Sequence, residues 1–440
     1  MSIYFLPFGV PLLLLAAAAI SFFGPKRGAT VTLRLIEVLS IGAIIIALLS
    51  MAALNAFGPQ TSPLLGFQGL GLSFRLDVIS AVMVLLVSFI GWIVVRYARV
   101  YLDGEARRDA FMGWLCTTLA MVMLLVIAGN LVQIVLAWTA TSLSLHRLLL
   151  FYPERAAAQR AARKKFVTAR AADIALITAA ALLVIAYGTT DIAAILNAAR
   201  ADDGGSATTA AAGLLAIAAL LKSAQFPLHG WLTEVMEAPT PVSALLHIVA
   251  HSLYKAHSFL ASGGAVERIA ASRRPGPVAV PSVKAVGRAF LAALAIYGAI
   301  GWAFDFHHKS PQAIALGAIL IFGVAYLLAQ GLADTAPRAL TQRMAVYAVV
   351  ASMGYFALHG LALWLTAGTL PPTPTPGPLE WALIVLAVMS FGLVAIAQAM
   401  FPLWAYHPAA AGLRVHLSNG LYANALFDRL LGGWTLRQAS

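Results

Sequence analysis

Apolar stretches about as long as a lipid hydrocarbon core is thick recur along this sequence, and they limit what it can fold into. A helix needs about 20 apolar residues to cross roughly 30 Å of hydrocarbon. Runs of that kind fall at 3–23, 35–54, 76–95, 111–128, 131–151, 172–188, 211–232, 240–262, 289–306, 311–332, 344–366 and 380–404. They do not alternate apolar and polar residues, as the strands of a membrane barrel would. The expected fold is an all-α polytopic membrane protein with about 12 transmembrane helices. Composition excludes the other classes. The chain is 61% hydrophobic and 10% charged, where soluble domains are about 45–50% apolar and about 25% charged. A water-soluble enzyme and a disordered tail are both ruled out.

The formal net charge is +12. In a soluble domain this would point to nucleic acid. Here the basic residues sit mostly in short connections, the positive-inside pattern of a membrane protein, and no nucleic-acid partner is expected. Lys26 and Arg27 follow the first run, so that run reads as a signal-anchor-like span with its N-terminus outside, and no cleavable signal peptide is evident. Arg155, Arg160, Arg163, Lys164, Lys165 and Arg170 crowd the connection after the fifth run, which reads as inside. Counting spans forward puts 263–288 outside, and counting back from the basic tail puts it inside. Either one segment in 211–306 does not fully span, or a basic loop lies outside. The lone Cys116 can form neither an intrachain disulfide nor a thiolate metal set.

The residues that could carry chemistry gather in 221–262. Lys222 follows ten uncharged residues, 212–221. A lysine at mid-bilayer costs roughly 2.5–3.5 kcal/mol even on insertion scales. Pro227 cannot donate to the carbonyl of Ser223, so a broken helix is expected near Lys222–Pro227. A charge beside a broken helix is the arrangement of ion sites in transporters; the plainer reading is a lysine snorkelling from a helix end. His247, His251 and Lys255 are spaced four apart, about 6 Å per step on one slowly turning face. Such a ladder can pass a proton through short water bridges, or its histidines can simply bond neighbouring helices. Arg170 and Asp173, three apart, can pair on one face. Asp173 could also hold Lys222, or be half of a membrane-edge ion pair. Glu234 and Glu237 lie among Gly and Pro residues and could form the mouth of a polar pathway or a solvated loop. His307 and His308 are adjacent and lack a third ligand, and no Walker or dinucleotide motif is present, so no metal site, ATP use or cofactor is expected in this chain.

At these residues the sequence resembles the antiporter-like subunits of respiratory complex I and of multi-subunit Na+/H+ antiporters. LKSAQFPLHGWLTEVMEAPTPVSALLH at 221–247 is similar to their seventh-to-eighth helix signature, FVTARAADIALI at 166–177 to their sixth helix, and 73–102 to their third. HLSNGLYANALFDRL at 416–430 resembles the C-terminal segment of the large subunit. Two departures stand out. The family places a glutamate after the tryptophan of its fifth helix, where AWTATSLSLHRLLLFY has Thr139. HSLYKAHSFLASGGAVE resembles the family's eleventh helix yet follows the start of the eighth almost directly, as though the helices between were missing.

With these departures the sequence resembles the membrane subunit of the two-subunit DAB inorganic-carbon pump. That resemblance implies a transporter subunit of a bacterial inner membrane, not itself an enzyme. It would translocate H+ or Na+ to energise CO2/bicarbonate uptake, and its partner would be a large cytoplasmic zinc-dependent carbonic-anhydrase-like subunit. By the same resemblance Lys222, Asp173, His247, His251 and Lys255 would form the ion path, with Arg170, Glu234, Glu237 and Thr139 auxiliary. Residues 1–440 would form a single transmembrane domain, with an antiporter-like core at about 70–262, C-terminal helices at 289–404 and an amphipathic cytoplasmic tail at 405–440. The partner would dock on the 155–170 loop and the tail. The competing readings are a proton-pumping subunit of complex I or of a membrane hydrogenase, and an Na+/H+ antiporter subunit.

Overall fold

A membrane leaves no water to bond the backbone, so a chain of apolar runs folds as helices that satisfy their own amides. The computed structural model describes residues 3–24, 29–67, 69–151, 154, 156–201, 205–223, 281–304, 310–333, 336–367, 373–404 and 406–430. Ten helices among the described residues are long and apolar enough to cross a membrane. The chain divides into two compact units, one of residues 1–237 with 422–440 and one of residues 238–421.

The first unit contains α1 (Gly9–Phe23), α2 (Ala29–Phe57), α3 (Val78–Tyr101), α4 (Arg108–Val126), α5 (Leu131–Leu149), α6 (Ala156–Tyr187), α7 (Ile192–Ala201) and α8 (Gly205–Lys222). Two short antiparallel pairings lie between α2 and α3: Gln60–Thr61 with Arg75–Leu76, and Leu65–Phe67 with Leu70–Leu72. Packing runs in a row, α8 on α6, α6 on α5, α5 on α4, α4 on α1, and α1 on α2. Small residues line these seams: Ala17, Ala18, Ala43, Ala47 and Ala120 are all buried. Lipid tails are as apolar as leucine, so close backbone approach, not hydrophobic exclusion, drives such contacts. Gly113 marks the tightest approach of α4 to α1, since a Cβ there would lie 2.6 Å from the Phe22 ring. Glu37 of α2 is pinned by Arg99 of α3 at 2.6 Å.

The second unit contains α9 (Val283–Ala303), α10 (Pro311–Gly331), α11 (Arg338–Thr366), α12 (Pro378–Ala399), α13 (Phe401–Trp404) and α14 (Pro408–Ser418). Here α10 is central, packed on α9, α11 and α12. Ser310 caps α10 by accepting from Ala313 N at 3.3 Å, ahead of Pro311, which lacks the amide that a first helical residue leaves unbonded. Val286, Ala289, Ala293, Val324, Ala325 and Ala348 form its core. The tail continues as α15 (Ala423–Leu430), which belongs to the first unit.

Three expectations change. First, α6 begins at Ala156, not at 172, so the basic stretch read as a loop is helix. AAAQRAARKK is rich in strong helix formers and holds no breaker, but a search for apolar runs skips it. Lys164 and Lys165 are 6% and 2% exposed, which removes both from a docking surface for a soluble partner. Second, α5 is not among the ten apolar spans. Gln133, Ser142, Ser144, His146 and Arg147 make it polar, and it is held between α4 and α6. Third, the connection after α6 holds a helix of its own, α7, and α8 starts at Gly205 instead of 211. The helix carrying Lys222 does stop there, since Lys222 is the last residue of α8. Pro227, Glu234, Glu237, His247, His251 and Lys255 lie outside the described residues.

Candidate functional site

α5 is fixed at its N-terminus by a buried amide network. Asn130 caps it, accepting from Gln133 N at 2.8 Å, and donates to Gly71 O and Ser73 Oγ, each at 3.1 Å. Gln133 accepts from Ser73 N and donates to Leu124 O, each at 2.9 Å. Every polar atom so engaged offsets its own desolvation, and the helix is held in one rotation. That rotation decides where the next turns point. Trp138, Ser142 and His146 are four apart on one face. Trp138 packs with the buried Ala175, Leu176 and Ala218.

Asp173 of α6, 4% exposed, is the centre of the site. Its Oδ2 is 2.7 Å from Nη2 of Arg170, three residues back on the same helix. Its Oδ1 is 3.6 Å from Nζ of Lys222, at the end of α8. The Lys222 ammonium also stands 4.5 Å from the centroid of the Trp138 ring, a cation–π contact of about 1 kcal/mol for a partly open ammonium. Arg170 lies 5.3 Å from the centroid of Phe166. One buried carboxylate is thus shared by two cations from two helices, and an indole from a third helix covers one of them. Of the two cations, the guanidinium keeps its proton in proteins, whereas the ammonium can give one up. Such a site can cycle a proton at Lys222 while Arg170 continues to balance Asp173.

The Arg170–Asp173 pair stands as the spacing led one to expect, and Asp173 also meets Lys222, a partner the sequence had left as one possibility. Thr139 is half-buried, one residue and about 100° beyond Trp138. The sequence reading missed Lys165. Its Nζ donates to the carbonyl of Ser142 on α5 and, at 3.0 Å, to the Ser142 hydroxyl. It also missed His146, whose ring lies 5.3 Å from that of Phe166. A signal was present. Ala162, Lys165, Ala169, Ala172, Leu176 and Ala179 are spaced three or four apart, and all are buried. Lys165 is in phase with a small-residue stripe that faces the bundle. Among the described residues no three His, Cys, Asp or Glu side chains gather as a metal site.

The segment that holds this site also matches known families. The model of the NADH:quinone oxidoreductase/Mrp antiporter transmembrane family matches residues 128–268, which take in all of α5 to α8. The model of the complex I chain 5 N-terminus matches residues 66–112. The probable inorganic carbon transporter subunit DabB2 of Halothiobacillus neapolitanus is 31% identical, over 96% of this chain and 92% of that protein. The chain belongs to the DabB family of inorganic carbon transporter subunits. Within the wider antiporter-like group, NADH-quinone oxidoreductase subunit L of Mycobacterium tuberculosis is 33% identical over 53% of this chain and 38% of that protein. Among solved structures, the Mrp complex from Dietzia sp. matches at 18% identity and a TM-score of 0.47, covering 95% of this chain and 60% of that one. Its ten apolar helices and the two family matches make the chain a multi-pass membrane protein with complex I/Mrp antiporter-like domains. The DabB2 alignment runs over 516 positions, more than the 440 residues here, so the relative carries stretches with no counterpart in this chain.

Proposed function

We propose that this chain is the cation-translocating subunit of a two-subunit inorganic carbon pump in a bacterial inner membrane. Ion flow through it energises CO2 hydration by a large cytoplasmic zinc-dependent carbonic-anhydrase-like partner, and bicarbonate accumulates. The observation that carries this reading is the Lys222–Asp173–Arg170 cluster buried among α5, α6 and α8 in a DabB-family chain. An ionisable cluster inside a membrane bundle is costly, and ion pathways are where such clusters occur. Lys222 is the protonatable member and Asp173 its counter-charge. Arg170 is auxiliary, and Thr139 stands where relatives are expected to carry an acid. His247, His251 and Lys255 extend the path, with Glu234 and Glu237 at its mouth. The antiporter-like core is 70–262.

The test is growth at ambient CO2 of a carbonic-anhydrase-deficient host that expresses this chain with and without its partner. Rescue is expected only with both, and Lys222→Ala should abolish it while the protein remains in the membrane. Rescue by this chain alone would overturn the two-subunit reading. A subunit of a redox complex is the second reading, favoured by the match to subunit L; rescue in a host lacking that complex would exclude it.

A further inference from the structure

Lys165 is 2% exposed, more deeply buried than Asp173. A lysine with only a structural duty in an alanine-lined seam is hard to justify, because an apolar side chain would pack there without the desolvation cost. Among the described residues no carboxylate pairs with it. Its partners are the Ser142 carbonyl and hydroxyl, neutral groups that an amine can bond in either protonation state. Lys165 lies eight residues before Asp173, about 12 Å nearer the basic end of α6. Thr168, 4% exposed, sits between them, its hydroxyl donating to the carbonyls of Lys164 at 2.9 Å and Lys165 at 3.1 Å. Among the described residues, the charged and titratable groups around Lys165 are Lys222 on α8, Lys164, Arg170 and Asp173 on its own helix, and His146 on α5 with Arg147 beside it.

We propose that Lys165 is a second protonatable step of the translocation path, between the Lys222–Asp173 pair and the basic end of α6, and that this path passes protons and not sodium ions. The inference rests on the cation-translocating reading above and adds a residue and an ion identity to it. The charge count decides the ion. Asp173 is the one carboxylate among these groups, and Arg170 and Lys222 already share it. A sodium ion needs a cage of oxygen ligands, carbonyls or carboxylates, and would meet an excess of fixed positive charge here. Protons need no cage; they are taken up and released by amines already in place.

Replacing Lys165 by Arg separates a relay from an anchor. Arginine keeps the charge and can bond Ser142, but it does not release its proton. The full chain with its co-purified partner is reconstituted into vesicles holding a pH-sensitive dye. A pH gradient is imposed with potassium as the sole other cation, and in a second arm a sodium gradient at equal pH. Wild type should pass protons in the first arm and show no sodium-driven flux in the second. Lys165→Arg and Lys165→Met should each lose proton flux at least tenfold at unchanged membrane level and partner binding. Wild-type proton flux in Lys165→Arg, or flux that follows the sodium gradient, overturns the proposal. If Lys165→Arg does not assemble, Ser142→Ala replaces it: removal of the hydroxyl should displace the pH profile of proton flux, and an unmoved profile is equally fatal. Wild-type vesicles that pass neither ion would instead refute cation translocation itself, a result distinct from failure of the Lys165 step alone.

Discussion

Residues 1–237 with 422–440, and residues 238–421, are built from the same material, long helices seamed with alanine, yet they enclose different groups. The first unit buries Asp77, Lys164, Lys165 and Asp173. Among the described residues of the second, the buried polar side chains are Ser352, His359 and Thr366, and none is an Asp, Glu, Lys or Arg. Its interior is aromatic instead: Tyr297 lies 4.9 Å from Phe356, and Tyr355 stacks on His359 at 5.9 Å. Ser352 and Thr366 simply bond carbonyls one turn back, Ala348 and Ala362. The described helices of the second unit pack without a buried Asp, Glu, Lys or Arg. Asp77 is accounted for by its cap on α3, accepting from Ser80 N at 2.9 Å; helix packing of this kind does not by itself call for Lys165 and Asp173, and buried charge inside a membrane bundle is the mark of an ion path.

Removing the buried charge at its centre should have the largest effect. Asp173→Asn leaves Arg170 and Lys222 facing each other without a counter-ion. A loss of about 3 kcal/mol is expected, the low end for a broken buried pair because both cations are partly open, together with loss of ion flux. Thermal unfolding in detergent and vesicle flux would measure the two. An Asp173→Asn protein as stable and active as wild type would erase the distinction between the units.

Trp138→Leu should be milder. It removes the ring under Lys222 and leaves the ion pair, for a cost of about 1 kcal/mol and a severalfold drop in flux. If flux is unchanged, the indole is a packing residue only. Thr139→Glu tests the adjacent face of α5. It introduces an acid one residue beyond Trp138, a further ion pair to break in each cycle, so turnover should slow without loss of membrane insertion. An unchanged rate across pH would mean that Thr139 does not face the path.

The smallest effect is expected in the second unit. His359→Phe keeps an aromatic ring against Tyr355 and removes the one buried imidazole among the described residues of that unit. Flux should change less than twofold. Abolished flux would show that the described helices of this unit carry an ionisable step beyond His247, His251 and Lys255, and the contrast drawn from the described residues would fail.

What could be read from the residues follows rules that act within one segment. A run of about 20 apolar residues must be a helix, because its amides find no other partner in a bilayer. The Arg170–Asp173 pair is a local consequence of helical spacing. Lys222 stood out because ten uncharged residues precede it, and α8 does end on it.

The remaining features depended on neighbours brought from elsewhere in the chain. Hydropathy scores Lys165 as polar wherever it lies; it is buried because Ser142, on another helix, is turned toward it by a cap at Asn130. Trp138 covers Lys222 because α5 and α8 both pack on α6. Apolar length and spacing fix which segments are helices, since those properties belong to each segment alone. Which charge meets which partner is set between segments, and only the packed bundle determines it.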